Sequence, residues 1–231
     1  MTPAARIAAS IELLATMLEP GPQPVDAVAG EYFRVRRFIG AGDRREVAAQ
    51  VWGILRSYRR LEWWLQGQAT PRLLVAASRL LDGGSYETIA EAFSGSRFAP
   101  APLAPSEQAA LRRLEGHTLD DPSMPDAVRL EVPDWLLPRL DAGELRALLA
   151  PAPLDLRVNL LKATREQARA ALAAEGVEAM PTPYSPWGLR IEGRRQVTTG
   201  RAYRDGLIEV QDEGSQLVAG LVGAGPGFRV A

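Results

Sequence analysis

The chain has 231 residues, 46% of them hydrophobic and 24% charged, with a formal net charge of −1 and no cysteine. This length supports one large or two small domains, each with its own core. The absence of cysteine excludes disulfides, thiolate metal sites and a cysteine nucleophile within these residues. No apolar run reaches the roughly 18 residues of a membrane-spanning helix, so a cytoplasmic protein with no membrane partner is expected.

The first stretch, "MTPAARIAASIELLATMLEP", places Ile7, Ile11, Leu14 and Leu18 on one helical stripe that stops at Pro20-Gly21-Pro22. It reads as a surface helix, not a secretory signal. A second helix is expected from about Val25 to Ile39, with Val28, Tyr32, Val35 and Ile39 inward. In "GAGDRRE", Asp43 can cap a third helix and Glu46 can complete a capping box. Val47, Val51, Ile54, Tyr58, Leu61 and Leu65 then hold one apolar face, so a single long helix is predicted. Thr70-Pro71 opens the next helix and Gly83-Gly84 closes it. Ser85 starts a short helix, "FAPAPLAP" is a connector, and Ser106 is expected to cap a helix through Leu111 and Leu114. Short helices are predicted near Trp135–Leu140 and from Gly143 to Leu149.

After Pro153 the period changes from 3.6 to 2. Leu154, Leu156, Val158 and Leu160 alternate with Asp155, Arg157 and Asn159, which predicts a half-buried strand. Thr164 and Gln167 form a capping box for a helix that ends at Gly176. Strand signals recur near Val177–Met180, Leu189–Ile191 and "LIEV", giving a small β-α-β-β unit; a helix over 213–222 follows.

Three features could carry function. All basic residues but Lys162 are arginines, and eight lie between Arg34 and Arg60. Arg56, Arg59 and Arg60 beside Trp63-Trp64 could form a basic, aromatic-edged RNA surface, or a solvated helix face whose stems cover apolar surface. Arg157, Asn159 and Lys162 could present single-stranded RNA with polar groups on an open sheet face, or that face is wet or packed on a neighbour. "GAGPG" at Gly223–Gly227 resembles a nucleotide loop, but such a loop follows a strand and opens a helix. Here the glycines follow a helix, so a helix cap and a turn are expected. His117 is the single histidine and no Ser-His-Asp or paired-carboxylate arrangement stands out, so neither a metal site nor a catalytic centre is expected.

Two stretches resemble a known family. "LRVNLLKATREQARAALAAEGVEAMPTPYSPWGLRI" and "YRDGLIEVQDEGSQLVAGLVGAGPGFRV" are similar to the region upstream of the catalytic domain in RsmB/Sun-type RNA (cytosine-5) methyltransferases. "GDRREVAAQVWGILRSYRRLEWWL" resembles the NusB-like helical domain of the bacterial members. The resemblance implies a mainly α NusB-like domain over 1–140, a small α/β, RRM-like RNA-recognition subdomain over 150–205, and the start of a Rossmann-like methyltransferase domain over 206–231. It implies rRNA, of the small subunit, as partner and S-adenosylmethionine as the cofactor of the full-length family. Arg157, Asn159 and Lys162 match the R-V-N-x-x-K strand. Gln211, Asp212 and Ser215 match the segment that packs beside the cofactor domain, although Asp212 can simply cap the following helix.

In that family the cofactor loop and two catalytic cysteines follow the P-G-x-R-V segment. The resemblance therefore places them beyond Ala231, and the isolated chain is expected neither to bind the cofactor tightly nor to transfer methyl groups. A strand beginning near Phe228 is expected to fray or associate without its sheet. The alternative is a non-catalytic RNA-binding or NusB-like protein-interaction module.

Overall fold

The structure, a computed structural model, describes residues 1–193, 195–225 and 227–229. Two compact units divide the chain, Met1–Leu149 and Ala150–Ala231.

The first unit is helical among its described residues. Its elements are α1 (Pro3–Leu18), α2 (Val25–Val35), α3 (Ala41–Arg56), α4 (Tyr58–Leu65), α5 (Pro71–Leu81), α6 (Tyr86–Ala92), α7 (Pro105–Arg112), α8 (Asp126–Arg129), a 3-10 turn (Leu137–Arg139) and α9 (Ala142–Leu149). Helix α5 is the hub. Thr70 Oγ1 accepts the Leu73 N–H at 3.3 Å and Pro71 occupies the first turn, where its missing N–H costs nothing. Leu73 through Ser78, with Leu80 and Leu81, are all buried by contacts with α1, α3, α4, α6 and α7, and Arg79 remains exposed. Gly83 in the left-handed region (φ 95°) ends it.

Four expectations for this unit are corrected. The predicted long helix breaks at Ser57, which ends α3 with φ −120° and ψ 26° while its Oγ donates to the Gly53 carbonyl at 2.8 Å. The new N-terminus of α4 is satisfied by a distant carboxylate: Glu131 accepts the N–H groups of Arg59 and Arg60, each at 3.0 Å. Such a partner makes the break affordable, because free N–H groups at a helix start need acceptors. Asp43 does not cap α3, which starts at Ala41 after Gly40; its carboxylate instead takes the Met1 amine at 2.8 Å and Arg6 at 3.0 Å. Ser106 lies inside α7, which starts at Pro105, and Glu107 reaches back to accept the Ala104 N–H at 2.9 Å. Helix α2 also stops at Val35, which is exposed, although Ile39 is buried as predicted.

The second unit contains β1 (Leu154–Val158), α10 (Arg165–Ala174), β2 (Met180–Pro181), β3 (Gly188–Ile191), α11 (Arg201–Arg204), β4 (Ile208–Val210) and α12 (Glu213–Leu221). The strands form one sheet in the order β2-β3-β1-β4, and all neighbours are antiparallel. With α10 and α11 as the two connecting helices, this is the β-α-β-β-α-β arrangement of a ferredoxin-like fold. The capping box of Thr164 and Gln167 starts α10 as predicted. The short α11 falls in a stretch expected to be only turns. Its first N–H groups, those of Arg201 and Ala202, donate to the Glu175 carboxylate at 3.0 and 2.7 Å.

The pleat sorts the side chains of this sheet. Leu156, Val158, Leu189, Ile191 and Ile208 share one face and pack with Ala168, Leu172 and Ala202 of the two helices. Asp155, Arg157, Arg190 and Glu209 share the other. The expected boundary at 205/206 falls inside the hydrogen-bonded unit, because β4 pairs with β1 and α12 packs on β1. Gly223 follows α12 with φ 61° and the Phe228 N–H donates to the Gly225 carbonyl at 3.0 Å. The end of the strand expected from Phe228 onward, at positions 230 and 231, lies outside the described residues.

Candidate nucleic-acid interface

Helix α12 is held on the polar face of the sheet by a buried charged cluster. Asp155, 2% exposed, accepts two hydrogen bonds from Arg190, at 2.7 and 2.8 Å, and one from the Glu213 N–H at 3.2 Å. The Glu213 carboxylate in turn accepts the N–H groups of Tyr184 and Ser185 at 2.6 and 2.8 Å. Hydrogen bonding from Arg190 holds the Asp155 carboxyl below the usual range against the opposing effect of burial. Burial pushes the Glu213 carboxyl up, but the N–H groups of Ser185 and Tyr184, the Thr182 side chain and the charge of Arg190 together outweigh it, and the group ends below its ordinary value. Gln216, fully buried, joins the helix to the loop before β3 through Ser185 Oγ at 2.7 Å.

Gly188 permits this approach. A Cβ there would lie 2.0 Å from Thr182 Oγ1 and 3.1 Å from Gln216 Oε1. The polar face is thus neither bare nor simply wet, since α12 covers part of it.

What α12 leaves open is a groove of about 740 Å³ at one end of the sheet. It brings together Arg157 and Asn159, two of the predicted RNA residues, with the rings of Trp187 and Tyr203, Glu209 of β4, and Ala219 and Gly220 of α12. Arg157 is ion-paired with Glu209 across the strands. Asn159 is oriented by its own turn: its amide donates to the Gly206 carbonyl at 3.1 Å and its oxygen accepts the Leu161 N–H at 3.2 Å. Lys162 is anchored outside the groove, its Nζ donating to the Asp205 carbonyl at 2.8 Å. The combination of a cationic group, an oriented amide and two partly exposed rings can stack and hydrogen-bond an unpaired base.

The other predicted residues lie elsewhere. Arg56 and Arg60 line a separate polar cavity of about 470 Å³ in the helical unit, with Gln50, Ser78, Arg79 and Asp82. Arg60 is bound to Asp120 at 2.7 Å and to Glu131 at 2.9 Å. Burial would lower its guanidinium, yet these two acids hold it above its ordinary value. Arg59 is engaged by Asp134 and the Val132 carbonyl, and Trp64 Nε1 donates to the Leu119 carbonyl at 3.1 Å. Among the described residues Arg56 makes no salt bridge. Gln211 Oε1 is buried without a hydrogen-bond partner among them.

Asp212 caps α12 as expected, accepting the Ser215 N–H at 3.1 Å. Gly223 follows this helix instead of opening one, as expected of a helix cap and a turn. No group of three or more His, Asp or Glu side chains suited to a metal occurs among them, and no helix among them is long and apolar enough to cross a membrane.

Sequence reasoning missed Asp155, Arg190, Glu213, Trp187 and Tyr203. Asp155 reads as one more solvent-facing residue of an alternating strand, and nothing local announces the helix that covers it.

A family model described as "Methyltr_RsmF/B-like, ferredoxin-like domain" matches residues 132–198. The Ribosomal RNA small subunit methyltransferase B of Xylella fastidiosa is 37% identical over 105 residues, covering 42% of this chain and 25% of that protein. The protein of the same name from Pseudomonas syringae pv. tomato is 34% identical over 110 residues, covering 45% of this chain and 25% of its own length. The matched segment thus spans about a quarter of these curated relatives. The crystal structure of PH0851 superposes with a TM-score of 0.60 and 20% identity, covering 98% of this chain and 57% of that one, a likeness of fold. Residues 132–198, which hold β1, α10, β2 and β3, are thus similar to the ferredoxin-like domain of RsmF/B-like methyltransferases.

Proposed function

We propose that this chain is the RNA-handling part of an rRNA methyltransferase, with the groove of the ferredoxin-like unit as a contact for an unpaired stretch of RNA. The observation that carries the reading is the convergence of Arg157, Asn159 and Trp187, from the matched segment, with Tyr203, just beyond it, on one open groove. The names of the relatives support small-subunit rRNA as the substrate class. In this reading the full protein uses S-adenosylmethionine to methylate a cytosine at its 5-position, and the helical unit is a NusB-like domain. Gln211, Asp212 and Ser215 would then lie beside the cofactor-binding domain, and the partnerless Oε1 of Gln211 is the kind of buried acceptor that such a neighbour could satisfy. The isolated chain would not transfer methyl groups.

The test is a titration of the chain with a labelled single-stranded rRNA fragment at several salt concentrations. Affinity should fall with salt, and Arg157→Ala should weaken it by about tenfold, the value of one charged RNA contact. A salt-independent response, or full affinity in the variant, would remove the groove from the RNA pathway. A second reading, a protein-interaction module, draws on the engagement of Arg59 and Arg60 by acids and carbonyls of their own unit.

A further inference from the structure

We infer that the helical unit carries a stacking platform for single-stranded RNA built from Phe38 and Phe98 at one apolar cavity, with Arg97 against the Phe98 ring and Arg37 next to Phe38 in the chain. The inference rests on the reading that RNA is the ligand of this chain, and it places a second contact outside residues 132–198 of the family-model match.

Phe38, after α2, and Phe98, in the connector before α7, are far apart in sequence but line the same cavity of about 480 Å³. Tyr32, Ile39, Ala5 and Ala9 complete its apolar lining. The two rings are 76% and 67% exposed, so burial does not explain their presence. Phe98 also has a left-handed backbone, φ 70°. That conformation is unfavourable for a bulky residue and commonly marks a functional constraint. It is maintained by a tight loop in which the Gly95 N–H donates to the Pro100 carbonyl at 2.9 Å and the Ala99 N–H to the Ser96 carbonyl at 2.8 Å.

Charge decides between an apolar protein segment and a nucleic acid. The acid lining the cavity, Glu12, is neutralised by Arg36, whose guanidinium lies 3.9 Å over the Tyr32 ring. Arg37 and Arg97 are exposed and make no salt bridge among the described residues. The Arg97 guanidinium lies 4.8 Å from the Phe98 ring centroid. Exposed rings flanked by uncommitted cations match a strand that offers flat bases and phosphates together. An apolar helix would fill the cavity and leave both arginines without a counterpart.

The test uses the full chain, fluorescence anisotropy with a short labelled single-stranded RNA, and photocrosslinking with thiouridine-substituted RNA. Phe98→Gly should melt at or above the wild-type temperature, because glycine adopts the left-handed backbone freely. The same variant should bind RNA about tenfold more weakly, the scale of one lost base stack. Phe38→Ala with Phe98→Ala should weaken binding further, and crosslinks should map to Phe38 or Phe98. Wild-type affinity in the double variant, with loss in Arg157→Ala, would overturn the platform and leave the groove reading intact. Absence of any salt-dependent RNA binding by the unaltered chain would overturn both. A marked drop in melting temperature for Phe98→Gly would show that the ring serves packing and overturn the platform. Self-association lost in the double variant, with RNA affinity unchanged, would assign the cavity to a protein contact and overturn it as well.

Discussion

Replacing Asp155 by Asn should loosen the ferredoxin-like unit while leaving its shape almost unaltered. The carboxylate is 2% exposed and meets Arg190 through two bonds of 2.7 and 2.8 Å, with a third from the Glu213 N–H. Asn retains one acceptor oxygen but turns an NH2 donor toward a guanidinium that has no acceptor. Breaking a fully buried pair by removing one partner costs about 3–5 kcal/mol, and the one-third exposure of the Arg190 side chain lets water recover part of it, which leaves about 2 kcal/mol. For a unit of this size that corresponds to a fall of roughly 10 °C in melting temperature. Hydrogen exchange of the β1 and β3 amides, followed as the temperature rises, reads the change in this unit.

The same cluster sets a pH dependence. Asp155 and Glu213 both titrate below their ordinary values in the folded chain. The unfolded chain therefore takes up their protons first as pH falls. Their stabilisation is complete above the unfolded carboxylate values of about 4, and is lost as pH drops through the lower folded ones. Asp155→Asn removes one of the two groups and should flatten this acid limb. A variant that melts with the wild type, or keeps the full acid dependence, would refute the assignment of the cluster as the anchor of α12.

Glu131→Ala should destabilise the helical unit by about 2–3 kcal/mol in urea unfolding, because it strips the N–H groups of Arg59 and Arg60 of their acceptor and Arg60 of one ion pair. An unchanged midpoint would mean that water replaces the carboxylate at the start of α4. Gly188→Ala should cost about 1–3 kcal/mol through the clash with Thr182 and Gln216, and should speed hydrogen exchange of the α12 amides. Wild-type exchange there would show that the helix does not depend on that close approach.

The elements that could be read locally were those whose signals are local. Thr70-Pro71 with Gly83, the Thr164–Gln167 capping box and Asp212 before α12 each place cap and helix within a few residues of one another, and each occurs as predicted. The break at Ser57 was not legible, because the apolar stripe from Val47 to Leu65 continues through it and its decisive partner, Glu131, is remote in sequence. Half of the groove was legible: Arg157 stands on the polar phase of β1 and Asn159 follows the strand in the same phase, where a polar face is visible from alternation. Trp187 and Tyr203 were not, since nothing in their own segments says which strand they will stand beside.

The amino-acid sequence on its own settles the change of period after Pro153, the helical character before it and the apolar face of β1, because these depend on backbone geometry and nearest neighbours. Only the tertiary structure decides which polar groups are available to a partner. Arg60 and Asp155 look as free as Arg37 and Arg157 in the sequence. Folding buries Asp155 and most of the Arg60 side chain against opposite charge, where desolvation requires a partner, and leaves Arg37 exposed and Arg157, paired with Glu209, at the edge of an open groove. Availability is a property of what packs above a side chain, and for these residues the covering element lies elsewhere in the chain.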